Sequence, residues 1–311
     1  MNTEFMEKFL QQVGKSLKLS CPLSQYSSFK VGGKADYLVE VESKEELKSA
    51  LLLSREFSIP HFIIGGGYNL LFDDAGFRGL IMKNKLLGIS LLKSDFIRVL
   101  SGTTLEELLG FCVKNGLEGI EFLAGIPGTL GGAIYGNAGA FGQCIGNFVD
   151  CTCILDEKGK EIQMKKGGLS FGYRRSSLRG SARILLSADI NVNKGSADRI
   201  TARIDENLNK RKEKHPPYTV ASAGSYFKNP DPAQKKTPSA AYLLEKVGAK
   251  ELRKGGAAVS SVHANFIINE KDATARDILD LALELKQRVK KTFGVELEEE
   301  VIYLPEDLSR F

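Results

Sequence analysis

Apolar and polar positions change period several times along the chain, and each change marks an element. Ala35-Asp36-Tyr37-Leu38-Val39-Glu40-Val41 nearly alternates, as a strand with one buried face does. Ahead of it, residues 4–17 carry apolar side chains at helical spacing. Ser43 with Glu46 three positions on is a capping box, which predicts a helix to about Arg55. A short strand is expected at His61–Ile64 after Pro60, and another at Gly79–Met82. Thr104 and Glu107 form a second box, opening a helix that stops at Gly116. Val149–Leu155 and Glu161–Met164 flank Asp156-Glu157-Lys158-Gly159, a hairpin signal, and Arg183–Val192 reads as a strand. A helix from Ala197 to about Lys212 is stopped by Pro216-Pro217. The last third reads as a strand at Ser222–Phe227 and a helix capped by Thr237, with Pro238 at its first position, ending at Gly248. A strand at Asn265–Asn269, a long helix from near Thr274 to Gly294 and a final strand at Glu300–Leu304 complete it. Strands and helices mix throughout, so the expected class is α+β, with a domain boundary just before Pro216.

Composition narrows the class. A length of 311 residues predicts about two domains. With 42% apolar and 26% charged residues, the chain can build a core without disulfides or metals. The 43 basic against 38 acidic residues leave +5, too little and too scattered to point to nucleic acid or an anionic membrane. No apolar run approaches the about 18 residues of a membrane span, and the opening MNTEFMEKFLQQ lacks a secretory apolar core. Five cysteines, an odd number without framework spacing, read as reduced thiols of a cytoplasmic protein. Cys151-x-Cys153 with only three histidines in the chain is a poor zinc site, so no metal is expected.

Four stretches could carry chemistry. Gly65-Gly66-Gly67 follows a strand, where exposed N–H groups could cradle phosphate. It is not a dinucleotide fingerprint, because the third glycine of that pattern would fall at Leu70, and three glycines also make a plain tight turn. Gly125 to Gly142 holds seven glycines in eighteen residues, interleaved with Ile126, Leu130, Ile134, Tyr135 and Phe141. A linker would lack those apolar residues, so this reads as buried backbone wrapped round a large cofactor. Phe171-Gly172-Tyr173-Arg174-Arg175 offers an arginine fork for a carboxylate, or else a solvated basic turn. Ala223-Gly224-Ser225-Tyr226-Phe227-Lys228-Asn229-Pro230 holds a serine outside any G-x-S-x-G elbow. Glu296-Leu297-Glu298-Glu299-Glu300-Val301 could be a solvated strand edge, and His263 a structural histidine.

Together these pieces resemble the UDP-N-acetylenolpyruvoylglucosamine reductases, the MurB flavoenzymes of peptidoglycan synthesis. The resemblance spans about residues 20 to 304. It runs in order through Ser28–Gly33, Gly65–Leu71, Gly119–Thr129, Gly131-Gly132-Ala133, Asn137–Ala140, Tyr173-Arg174, Gly224–Pro230, His263–Asn269 and Leu297–Val301. Gly-Ile-Pro-Gly-Thr beside Asn-Ala-Gly-Ala is its most specific part.

The resemblance implies an N-terminal helix (1–20) and a two-part FAD-binding module of the vanillyl-alcohol-oxidase (PCMH) type over 21–195, split near 83–95. A C-terminal α+β substrate domain over 205–304 follows. It implies non-covalent FAD held by Gly65, Gly66, Gly67, Asn69, Leu70, Gly125, Ile126, Gly128, Thr129, Gly132, Asn137, Ala138 and Gly139, with NADPH as hydride donor. It implies a catalytic set: Arg174 on the substrate carboxylate, Ser225 as proton donor and Glu300 as their acidic partner. Lys228, Asn229 and His263 are expected to contact the nucleotide-sugar substrate, with no nucleic-acid or membrane partner. Glu298 and Glu299 precede Glu300, and the spacing from Leu297 to Val301 selects Glu300. The short stretch between Asp189 and Glu206 leaves no room for the tyrosine-bearing loop of the longer class, so the chain resembles the shorter one. The basic run Lys210-Arg211-Lys212 with Lys214 is a candidate for the diphosphate, or a solvated helix end. Another FAD-dependent oxidase or dehydrogenase on the same module, and a degenerate FAD protein that only binds the sugar, are the alternatives.

Overall fold

A computed structural model describes residues 2–230 and 238–308. The chain divides into two units. Unit 1 comprises Met1–Lys18, Tyr37–Gly66 and Gly79–Arg211, and unit 2 comprises Leu19–Asp36, Gly67–Arg78 and Lys212–Phe311. Gly67–Arg78 and the part of Leu19–Asp36 from Cys21 on, which lie inside 21–195, group with the C-terminal residues.

Unit 1 holds two cores. In the first, the helices Thr3–Val13 and Lys44–Glu56 bury Phe5, Phe9, Leu47 and Leu51 with Val39, Leu80 and Met82 of the strands. The strand His61–Ile64 runs parallel to Phe77–Asn84. In the second, five antiparallel strands stand in the order Glu161–Lys165, Val149–Leu155, Ile184–Asn191, Phe96–Leu100, Ile89–Lys93. The helices Leu105–Asn115 and Leu130–Tyr135 pack there, burying Leu105, Leu108, Leu130 and Ile134 with Ile97, Ile154 and Ile190.

Local chemistry explains the well-predicted ends. Thr104 accepts from the Glu107 N–H at 3.1 Å, and the Glu107 carboxylate accepts from the Thr104 N–H at 2.9 Å, a complete capping box. At Ser43 only half the box forms, because Glu46 accepts from the Glu42 N–H instead.

Unit 2 is built on the antiparallel sheet Arg253–Lys254, Ala257–Val259, Ile267–Asn269. The helix Ala275–Phe293 lays Ile278, Leu281, Leu285 and Val289 on it, one stripe of the helical period. Its N-terminus is fully supplied with acceptors. Thr274 takes the Asp277 N–H, and the Asp74 carboxylate takes those of Ala275 and Arg276 at 2.7 and 3.0 Å. Leu70–Phe72 pairs in parallel with Ile302–Leu304.

Four expectations in unit 2 are corrected. Ser222–Phe227 makes only isolated bridges, at Ser222 with Ile268 and Phe227 with Glu299, because Asn265 replaces a strand neighbour between them. The strand expected from Asn265 begins at Ile267, since the Asn265 amide is spent on Phe227, and the last strand begins at Ile302. The cap expected at Thr237 lies outside the described residues. The helix runs Ala240–Lys246 with Ser239 as its cap, so Pro238 precedes the cap.

Candidate active site

Within unit 1, Gly65 of the first glycine loop meets Thr129 of the second. The strand His61–Ile64 ends at Gly65, whose carbonyl accepts from the Lys83 ammonium. A Cβ on Gly65 would stand 2.5 Å from Thr129 Oγ1. That hydroxyl caps the helix Leu130–Tyr135 by accepting from the Gly132 N–H at 3.3 Å. Among the described residues, the N–H groups of Gly65, Gly66, Gly128 and Thr129 donate to no protein acceptor. Unpaired backbone donors on a surface without Cβ atoms suit phosphate oxygens. Lys83 adds a half-buried cation, its pKa held below the usual lysine value by burial and by Lys85. Lys83 and the Gly65–Thr129 contact escaped the sequence, since no spacing relates residue 65 to residue 129.

The neighbouring backbone is tied down. Ile126 packs on the second core and donates its N–H to the Leu123 carbonyl at 2.9 Å; Ala138 does likewise to Ala133 at 2.8 Å. Asn137, at 5% exposure, spends its side chain on protein: Nδ2 donates to the Gly172 carbonyl at 2.8 Å and Oδ1 accepts from the Gly146 N–H at 3.0 Å. It therefore links the glycine-rich stretch to the arginine loop. There Gly172 and Arg175 exchange two backbone bonds, and Arg174 sits in the tight turn between them at φ 52°. Arg174 Nη1 donates to the Gly139 carbonyl at 3.0 Å, and Ser176 Oγ to Tyr135 at 2.9 Å. Arg174 is thus a fastened arginine at a strained position, unlike a solvated basic turn. Lys210 and Arg211 lie over the Phe141 ring at 5.7 and 5.4 Å, and Lys210 also pairs with Glu206.

Unit 2 carries the rest. Gly67 has φ 75°, and a Cβ there would lie 1.8 Å from the Tyr26 carbonyl, so only glycine fits. Asn69 Nδ2 donates to the Glu300 carbonyl at 3.1 Å, and the Ile302 N–H returns to the Asn69 carbonyl at 3.0 Å. Leu70 is buried in the pair with Ile302. Ser225 is half-buried and precedes buried Tyr226 and Phe227. The Tyr226 carbonyl accepts from the Glu300 N–H at 2.8 Å, and the Lys228 N–H donates to Glu298 at 2.8 Å. These bonds lay the serine segment beside the acidic one.

The three glutamates separate cleanly. Glu298 is 72% exposed and pairs with Lys228. Glu299 meets Lys286 at 2.7 Å, which relieves its place between buried Leu297 and Val301. Glu300 is half-buried. Asn229 Oδ1 accepts from the Ala240 N–H at 3.0 Å. The His263 ring contacts His215 and Phe266 edge-on, its Nδ1 accepts from the Asn265 N–H at 3.2 Å, and burial with Lys250 lowers its pKa. Among the described residues no group of His, Cys, Asp or Glu could hold a metal ion, and no helix is long and apolar enough to cross a membrane.

Known proteins match both halves. A family model described as FAD binding domain matches residues 35–165, which contain the whole glycine cradle. One described as UDP-N-acetylenolpyruvoylglucosamine reductase, C-terminal domain, matches 216–304. The UDP-N-acetylenolpyruvoylglucosamine reductase of Clostridium tetani is 38% identical over 305 residues, 98% of this chain and 97% of its own. The chain belongs to the UDP-N-acetylenolpyruvoylglucosamine reductase family. The family member from Clostridioides difficile is also 38% identical, over 94% of this chain and 95% of its own. The crystal structure of the Thermus caldophilus reductase superposes with a TM-score of 0.77 at 31% identity, covering 93% of this chain and all of that one. A VAO-type flavoprotein of Myceliophthora thermophila, 10% identical, shares the fold with a TM-score of 0.59 over 94% of this chain and 85% of its own. The α+β FAD module of that type, expected from the motifs, is thus the observed architecture.

Proposed function

We propose that this chain is the NADPH-dependent reductase that converts the enolpyruvyl ether of UDP-N-acetylglucosamine to UDP-N-acetylmuramate, a cytoplasmic step in making peptidoglycan precursor. FAD, when bound, supplies the redox chemistry: hydride taken from NADPH and passed to the terminal carbon of the enolpyruvyl group. The chain's own residues do the rest. The unpaired N–H groups of Gly65, Gly66, Gly128 and Thr129, with Lys83 nearby, neutralise the cofactor diphosphate. Gly67, Gly125, Ile126, Gly132, Ala138 and Gly139 shape the backbone that lies against the cofactor. Asn69, Leu70 and Asn137 hold that backbone in place.

Hydride addition leaves negative charge on the carbon next to the carboxylate and on the carboxylate itself. Arg174, anchored through Gly139, binds that carboxylate where charge grows, which lowers the barrier most. Ser225 gives its hydroxyl proton to the carbanion carbon, and Glu300 is the acidic group of the same centre. Lys228 and Asn229 contact the nucleotide sugar. His263, kept neutral by burial, offers it hydrogen bonds rather than charge.

The observation that carries this reading is the fixed pairing of the Ser225 segment with Glu300, through the Tyr226 carbonyl and the Glu300 N–H. The test is anaerobic. NADPH should bleach the flavin, and the enolpyruvyl sugar should restore its colour with one lactyl ether formed per flavin. Reduced flavin that ignores the enolpyruvyl sugar but is reoxidised by oxygen would favour a plain oxidase on the same module.

A further inference from the structure

The sequence Ala264-Asn265-Phe266-Ile267-Ile268 puts one amide in an apolar run, and the role of that amide is unassigned by the chemistry above. Asn265 is 4% exposed. Its carbonyl accepts from the Tyr226 N–H at 2.8 Å. Its side chain then grips the next residue twice: Oδ1 accepts from the Phe227 N–H at 2.9 Å, and Nδ2 donates to the Phe227 carbonyl at 2.8 Å. One donor and one acceptor, spaced as in a peptide group, stand in for a missing strand. On the opposite edge Glu300 and Glu298 bond Tyr226 and Lys228. The backbone just after Ser225 is therefore clamped from both sides.

We propose that Asn265 is a positioning residue for the reaction: it sets the angle at which Ser225 presents its hydroxyl, without touching substrate. This rests on the role of Ser225 in the reading above. A regular strand would place side chains alternately to either face, and the residues from Gly224 leave that pattern. Gly224 has φ 77°, so the chain turns immediately before the serine, and the Asn265 clamp is what fixes the direction after it. Tyr226 and Phe227 are buried apolar anchors that hold the segment in the core with or without the amide. Loss of the amide therefore loosens orientation more than it removes burial.

Stopped-flow mixing of the FAD-loaded enzyme tests this. Asn265→Ala should be reduced by NADPH at the wild-type rate. Its reoxidation by the enolpyruvyl sugar should fall about 10–100-fold, the scale of a small misplacement of a reacting group. The solvent deuterium isotope effect on that step should rise, as proton delivery becomes slower. Asn265→Asp keeps the acceptor for Phe227 N–H and loses the donor, so it should show the same defect, and it serves where the alanine variant does not fold. In Ser225→Ala, adding Asn265→Ala should cost nothing further, because a residue that acts only through the serine has nothing left to position. Losses that multiply in the double variant, or an Asn265 variant that reoxidises normally, overturn the proposal while the serine assignment stands. Ser225→Ala with unimpaired reoxidation overturns both.

Discussion

Gly65→Ala probes the cofactor cradle with a single methyl group. The backbone at Gly65 is not left-handed, so alanine adds no torsional strain there. The whole effect is steric. The new Cβ would meet Thr129 Oγ1 at 2.5 Å, well inside contact distance, with Thr129 Cβ and Cγ2 at 3.6 Å. The hydroxyl is the near neighbour, and it is engaged in capping the helix Leu130–Tyr135. Either the hydroxyl swings away and the Gly132 bond goes, costing about 0.5–2 kcal/mol, or the loop shifts as an overpacked site does, costing about 1–3 kcal/mol. Both routes move N–H groups assigned to the diphosphate. A loss of 1–3 kcal/mol in binding is about 5- to 150-fold in Kd. Apoprotein titrated with FAD, followed by flavin fluorescence, should show weakening in that range. Thr129→Ala removes the obstructing oxygen, so Gly65→Ala/Thr129→Ala should bind FAD better than additivity of the single losses predicts. Wild-type FAD affinity in Gly65→Ala, or strictly additive losses in the pair, would refute the contact as a determinant of the cradle. Gly67→Ala is a different perturbation: its Cβ would strike the Tyr26 carbonyl at 1.8 Å in a left-handed backbone, and the expected result is failure to fold.

Three further outcomes are expected. Among Gln substitutions, Glu300→Gln should slow reoxidation by the enolpyruvyl sugar with FAD content intact, while Glu298→Gln and Glu299→Gln, which lose only ion pairs with Lys228 and Lys286, should stay near wild type; a crippled Glu298→Gln would move the acid to that position. Neither Gly65–Phe72 nor Ala124–Gly142 contains a histidine or cysteine for covalent attachment, so acid precipitation should release the flavin to the supernatant, and colour retained in the pellet refutes it. His61 and His263 have pKa values lowered by burial, so their contribution to stability is full above the ordinary histidine value of about 6.5 and is lost as pH falls below it, because the unfolded chain takes up protons first; the drop in Tm between pH 7.5 and 5.5 should be smaller in His263→Gln, and an unchanged drop would exclude the ring as a source.

What the sequence determined by itself was local or carried by whole motifs. The helix opening at Thr104 was legible because a capping box closes within four residues, and the 149–165 hairpin because Asp156–Gly159 forces a turn between two strand-forming runs. The family and the FAD module came from the joint motifs, as did the expectations placed on Arg174, Ser225 and Glu300, since a lone arginine or serine carries no such information. Tertiary structure decided what depends on partners distant in the chain. Ile89–Lys93 faces solvent along most of its length, so no alternation announced it, and it is a strand only because Phe96–Leu100 pairs with it. Ser222–Phe227 has the composition of a strand, yet the Asn265 amide, 38 residues beyond Phe227, takes the place of its neighbour. Asn137 stands in a stretch whose composition points to a cofactor, and its side chain instead reaches 35 residues on to the arginine loop. A buried amide must find a donor and an acceptor, and which backbone supplies them is set by how the chain comes back on itself, not by the residues beside it.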